Sequence, residues 1–150
     1  MDIPRGISEE IGFRRTMEDE HAFYEDPARL FFSAEIYDGH GGRQPAQIAA
    51  QMLTPWFLRS WSRERERPPG ERRDEADILR EAYLAVDAHL VGRRVQAGTC
   101  AAQLYLIGER FLAANAGDSR VVIGTGQGAA VLTEDHKPDT RAERSRVEAL

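Results

Sequence analysis

Leu30-Phe31-Phe32-Ser33-Ala34-Glu35-Ile36-Tyr37 runs without a break into Asp38-Gly39-His40-Gly41-Gly42. The first eight residues are apolar and aromatic enough for a buried strand. In the next five, three glycines within four positions disfavour both helix and strand. They predict a loop that turns sharply or brings backbone close to a ligand. Asp38 therefore stands at a strand end, where a rigid element can present a carboxylate on a loop. Glu35 is the odd residue of the strand, facing either an apolar neighbour or a polar seam.

Working outward, residues 7–13 read as a strand with an irregularity at Gly12, and residues 21–24 as another, ended by the turn signal Glu25-Asp26-Pro27. After the glycine loop a helix is expected. Pro45 suits its first turn, and Ile48, Met52, Leu53, Trp56 and Phe57 recur at helical spacing. Pro55 should kink or interrupt it. Residues 62–73 mix arginines with glutamates, Pro68, Pro69 and Gly70, and read as a solvated loop; interleaved glutamates weaken the alternative of a basic partner-binding patch. A second helix is expected from Asp74, with Leu79, Ala82, Tyr83, Val86 and Leu90 as its apolar stripe. Residues 99–107, 110–116, 120–124 and 129–133 follow as strands separated by tight turns, an antiparallel meander. A last helix begins near Asp139-Thr140, with Ala142, Val147 and Leu150 as weak periodic positions. No internal repeat interrupts this order. The expectation is an α+β fold over residues 1–150 as one domain.

Twenty Lys and Arg against 25 Asp and Glu leave a net charge of −5, which argues against nucleic acid as a partner. No apolar run reaches the roughly 18 residues of a membrane span, so no membrane partner is expected. Met1-Asp2-Ile3-Pro4-Arg5 lacks the apolar core of a signal peptide, and the expected location is cytoplasmic. Cys100 is the single cysteine, which rules out an intrachain disulfide and a thiolate zinc site. Ala101, Ala102, Gln103 and Leu104 follow it, without the arginine a cysteine phosphatase would need, so it reads as a small buried side chain.

Acidic residues recur at three turn positions, Glu18-Asp19, Asp38 and Asp118. Each alone could cap a turn. Oxygen ligands with no cysteine and little histidine point to a hard cation, Mg2+ or Mn2+. Together with Arg14-Arg15-Thr16-Met17-Glu18-Asp19, Tyr37-Asp38-Gly39-His40-Gly41-Gly42, Gly98-Thr99-Cys100-Ala101, residues 114–120 and residues 132–138, the sequence resembles the type 2C serine/threonine phosphatases. Five motifs in family order are far more specific than any one of them.

That resemblance implies an antiparallel β-sandwich flanked by helices, with two metal ions at one end. It implies that Asp38 bridges both ions, the Gly39 carbonyl binds one, Glu18 coordinates directly or through water, and Asp19 acts through metal-held water. Asp118 matches a weaker third metal position. Arg14 would hold the substrate phosphate and His40 would protonate the leaving seryl or threonyl oxygen, chemistry to which a bidentate guanidinium and an imidazole are suited. Asp135, His136 and Lys137 read as bracing of a structural turn. The implied function is hydrolysis of phosphoserine and phosphothreonine in proteins through a metal-activated water. Family members continue beyond the position of Leu150 and there supply two more metal-binding aspartates. An incomplete domain acting as a binding module is therefore the alternative, with closure by homodimerisation as one form of it.

Overall fold

A computed structural model describes residues 3–149. Met1 and Asp2 of the leading pentapeptide, and Leu150 of the C-terminal stripe, lie outside the described residues. The chain forms β1 (Glu20–Asp26), a 3-10 turn at Pro27–Arg29, β2 (Phe31–Tyr37), β3 (Gly39–His40) and α1 (Gln44–Arg65). A second 3-10 turn at Pro69–Glu71 leads to α2 (Glu75–Gly92). Then come β4 (Gly98–Thr99), β5 (Ala101–Ile107), β6 (Arg110–Ala116), β7 (Val122–Thr125), β8 (Gly128–Val131) and α3 (Arg141–Glu148). This is an α+β fold whose main sheet has the order β1-β2-β5-β6, antiparallel throughout.

Side chains alternate across that sheet. Phe31, Ser33, Glu35 and Tyr37 of β2 share a face with Gln103 and Tyr105 of β5, and all six are buried. α1 lies on this face and α2 packs against α1. Phe31, Phe57, Trp61 and Tyr105 form an aromatic cluster with ring centroids 4.8 to 6.1 Å apart. Burying each such ring contributes roughly 1.5–3 kcal/mol. The buried stripe of α1 departs from the expected one: Ala46, Ala49 and Ala50 are buried with Leu53 and Phe57, whereas Ile48, Met52 and Trp56 are half-buried. Small side chains let the helix lie close to the sheet, near enough for the Tyr24 hydroxyl to donate to the Ala50 carbonyl at 2.8 Å.

Glu35 faces a polar seam. The hydroxyls of Ser33, at 2.6 Å, and Thr54 donate to its Oε1, and that of Tyr37 donates to Oε2 at 2.6 Å. Thr54 and Tyr105 share a hydrogen bond, Gln103 Nε2 donates to Tyr37 at 3.1 Å, and Tyr83 donates to Gln103. Burial pushes the Glu35 carboxyl above its ordinary range, and the three hydroxyls pull it partly back.

Four local expectations are corrected. Pro55 does not interrupt α1, which is continuous from Gln44 to Arg65. The carbonyl that loses its donor belongs to Gln51, an exposed residue, where water can supply the missing bond. Residues 7–13 form no strand. The N-terminal segment is instead tied to β1 by side chains: Arg5 lies 5.5 Å from the Phe23 ring centroid, and Glu9 Oε1 is 3.0 Å from His21 Nδ1. Gly39 and His40 do form a strand, pairing with Thr99 and Gly98. Finally, the meander is broken. β6 pairs with β5 and β7 with β8, but β6 and β7 are not paired. Residues 115–117 bond to the downstream segment, with Asn115 Nδ2 donating to the Glu134 carbonyl at 2.6 Å and His136 N to the Gly117 carbonyl at 2.9 Å. Of the layers a sandwich would have, the described residues complete one sheet. Its outer face shows Ile36 at 41% and Phe111 at 52% exposure.

Candidate functional site

The end of β2 that carries Asp38 opens onto a cleft of about 480 Å³. Arg14, Glu18, Asp19, Asp38, Gly39 and His40 all line it, so six of the seven expected site residues meet there. They come from two stretches of chain, residues 14–19 and 38–40, and the β1–β2 pairing brings these together, with Glu20 opposite Tyr37. The seventh, Asp118, does not line this cleft. It stands beside Cys100, Sγ to Oδ1 3.5 Å, with Lys137 Nζ 3.7 Å from its other oxygen. Cys100 N donates to the Asp38 carbonyl at 2.8 Å, so Cys100 is the link between the two aspartates.

Close backbone packing sets the position of Asp38. A Cβ on Gly39 would collide with the Glu18 carbonyl oxygen. Glycine is thus required by the approach of the 14–19 segment, a reason different from the carbonyl exposure expected of it. A Cβ on Gly98 would likewise meet the His40 ring, which lies over the β3–β4 ribbon. Gly98 was visible in the sequence as part of a motif, but its partner was not.

The electrostatics of the cleft are those of crowded carboxylates. The Asp19 carboxyl is raised, first by partial burial, then by the neighbouring charges of Asp38 and Glu9, with Arg14 opposing. Glu9 carried no motif, and only the tertiary structure places its charge near Asp19. Thr16 Oγ1 donates to Glu18 Oε1 at 3.2 Å and steadies that side chain. Neither Arg14 nor Arg15, both lining the cleft, makes an ion pair among the described residues, which leaves two guanidinium groups free for an anion. The Cys100 thiol is pushed up, mainly by burial, which suits a packed side chain rather than a nucleophile.

Whether these residues fit a divalent cation follows from the donor set. Carboxylates with a nearby main-chain carbonyl are the hard oxygen donors that Mg2+ and Mn2+ take, and the crowding of Asp19 by Asp38 is relieved by a cation. In number they supply part of a shell: among the described residues no three His, Cys, Asp or Glu side chains converge closely enough to hold an ion.

Downstream, the bracing expected of residues 135–137 is present. Arg120 Nε and Nη2 donate to the two carboxylate oxygens of Asp135 at 2.9 and 2.5 Å, and Gly117 N lies 3.4 Å from His136 Nδ1.

The profile of the family described as Protein phosphatase 2C matches residues 4–150. A human "Probable protein phosphatase 1N" is 36% identical over 96% of this chain and 34% of its own length. The rice "Probable protein phosphatase 2C 45" is 32% identical over 95% of this chain and 50% of its own. Among solved structures, a C. elegans sex determining protein superposes with a TM-score of 0.74 at 25% identity, over 92% of this chain and 36% of that one. The serine-threonine phosphatase 2C of Toxoplasma gondii does so at 0.73 and 24% identity, over 93% and 52%, a likeness of fold. The chain thus spans between about a third and a half of these proteins. With the family profile matched almost from end to end and the same backbone arrangement in its relatives, the chain belongs to the protein phosphatase 2C family.

Proposed function

We propose that this chain carries the phosphate-binding and leaving-group side of a metal-dependent phosphatase acting on phosphoserine and phosphothreonine in proteins. The observation that supports this reading is the cleft that gathers Arg14, Glu18, Asp19, Asp38, Gly39 and His40, with Asp19 and Asp38 near enough to raise the Asp19 carboxyl.

Asp38, Asp19, Glu18 and the Gly39 carbonyl are the groups that would hold Mg2+ or Mn2+, with Asp118 as an outlying carboxylate. A divalent pair, when bound, neutralises a phosphomonoester dianion and acidifies water near neutral pH. Arg14 orients the phosphate, because its planar guanidinium matches two phosphate oxygens at once. His40, exposed at the rim and packed on Gly98, donates its proton to the seryl or threonyl oxygen as the P–O bond breaks. A second reading, a binding module without turnover, is favoured by one observation: fewer than three metal-ligating side chains converge among the described residues.

Hydrolysis of p-nitrophenyl phosphate by the 150-residue chain separates the two. Activity with Mn2+ that is lost in EDTA and in Asp38→Ala supports the phosphatase reading. A folded chain without Mn2+-dependent hydrolysis supports the binding module, and retained activity in Asp38→Ala overturns the site.

A further inference from the structure

A second cleft, of about 660 Å³, lies next to the β3–β4 ribbon. Its walls are the loop from Gly41 to Gln44 that enters α1 and the loop from Arg93 to Ala97 that leaves α2. The two loops touch: a Cβ on Gly41 would stand 3.6 Å from the Ala97 Cα. The cleft adjoins the candidate site directly, because Gly41 follows His40 and Ala97 precedes Gly98, the residue paired with His40.

Its charge runs against that of the chain. The protein carries 25 acidic against 20 basic residues, yet this lining holds Arg43, Arg93 and Arg94 and no carboxylate. Arg43 is paired with Glu20 at 3.2 Å. Arg93 and Arg94 make no ion pair among the described residues, and they stand side by side in a concave lining. Arg94 also holds a left-handed backbone, φ 54°, at a helix exit where glycine or asparagine is the low-energy choice. α1 begins beside these arginines with no side-chain cap on its free N–H groups. Two uncompensated guanidinium groups in a concave, acid-free surface form a local positive potential that selects anionic segments.

We propose that this cleft receives acidic residues flanking the phosphorylated residue of a protein substrate, held by Arg93 and Arg94. The inference rests on the phosphatase reading for the identity of the ligand, and on the charge and shape of the cleft for its chemistry. An extended peptide advances about 3.3 Å per residue, so a segment seated at His40 reaches the neighbouring cleft within a few positions. A bland role for the two arginines, offsetting the dipole at the end of α2, predicts a stability effect and no ligand preference.

Binding tests this without turnover. Fluorescein-labelled, unphosphorylated peptides are compared by anisotropy, one bearing aspartates on both sides of a serine and one bearing asparagines in their place. The wild-type chain is expected to bind the acidic peptide about tenfold more tightly, a difference that shrinks with added salt. Arg93→Glu/Arg94→Glu should abolish the preference. Arg59→Glu/Arg63→Glu, the same charge change on exposed α1 positions, should keep it. If the first variant fails to fold, Arg93→Gln/Arg94→Gly supplies a neutral replacement with glycine at the left-handed position. Equal affinities in the wild type overturn the proposal, as does a preference that survives loss of both arginines. Hydrolysis of p-nitrophenyl phosphate is read separately, so the phosphatase reading and the cleft can fail independently.

Discussion

Glu35 is 2% exposed in the middle of a sheet, and no cation is among its partners. Three hydroxyls solvate it in place of water, which is why a residue that looked misplaced in an apolar strand can be tolerated. Glu35→Leu would leave the hydroxyls of Ser33, Thr54 and Tyr37 facing hydrocarbon, and a loss of about 3 kcal/mol in urea unfolding is expected. The pH dependence has a definite sign. The folded carboxyl is raised above the ordinary 4.5, so the native state keeps a proton that the unfolded chain releases. That stability is present in full below pH 4.5 and declines as pH rises through the raised value. Glu35→Gln, which does not titrate, should flatten the decline in unfolding curves taken from pH 4.5 upward. At His40 the question is a proton. His40→Ala should slow a phosphoserine peptide by roughly 10²–10⁴-fold and p-nitrophenyl phosphate much less, since nitrophenolate leaves unprotonated. Equal losses on both substrates would rule out the acid role.

At the scale of single elements, the starts of α2 and α3 were legible because their chemistry is local. Asp74 precedes α2 and its Oδ1 accepts from Ala76 N at 2.7 Å, and Thr140 does the same for α3 through Glu143 N at 3.4 Å. Asp74→Ala removes that acceptor and should cost about 1 kcal/mol, read as a lower urea midpoint at unchanged slope. The charged stretch expected as a loop over residues 62–73 is a loop only beyond α1: Ser62–Arg65 continue that helix, and Glu64 is buried at 8% exposure. Arg73 bridges Glu64 of α1 and Glu81 of α2, and Arg72 donates to the carbonyls of Arg65 and Arg67, so these cations tie the two helices together. The strand expected at residues 7–13 failed for the complementary reason. Strand formation depends on a neighbour to accept the backbone bonds, and Ile7 and Ile11 remain 45% and 40% exposed.

For the molecule as a whole, the candidate site is a meeting of two segments across the β1–β2 pairing. A cation held by Asp38 together with residues of the 14–19 segment would tie them to one another. Added Mn2+ should therefore raise the thermal midpoint of the chain. At a free concentration one hundredfold above the dissociation constant, the stabilisation is about 2.7 kcal/mol. EDTA should reverse the shift and Asp38→Ala should abolish it. A shift of the same size in Asp38→Ala would place the ion elsewhere.

The amino-acid sequence by itself determined the parts whose causes are local. The apolar run of β2, the start of α2 at Asp74 with Leu79, Ala82 and Val86 buried on its stripe, and the order of the five motifs all follow from spacing and turn chemistry within a few residues. Only the tertiary structure decided which charges face one another. It set Asp38 and Glu9 beside Asp19, packed Gly98 under His40, placed Asp118 behind Cys100 outside the cleft, surrounded Glu35 with hydroxyls, and left Arg93 and Arg94 unpaired beside the site. Those outcomes depend on register between strands distant in sequence and on how closely α1 sits on the sheet. A one-residue slip in strand register would reverse every facing side chain, and which strand lies beside which is settled only when the chain folds.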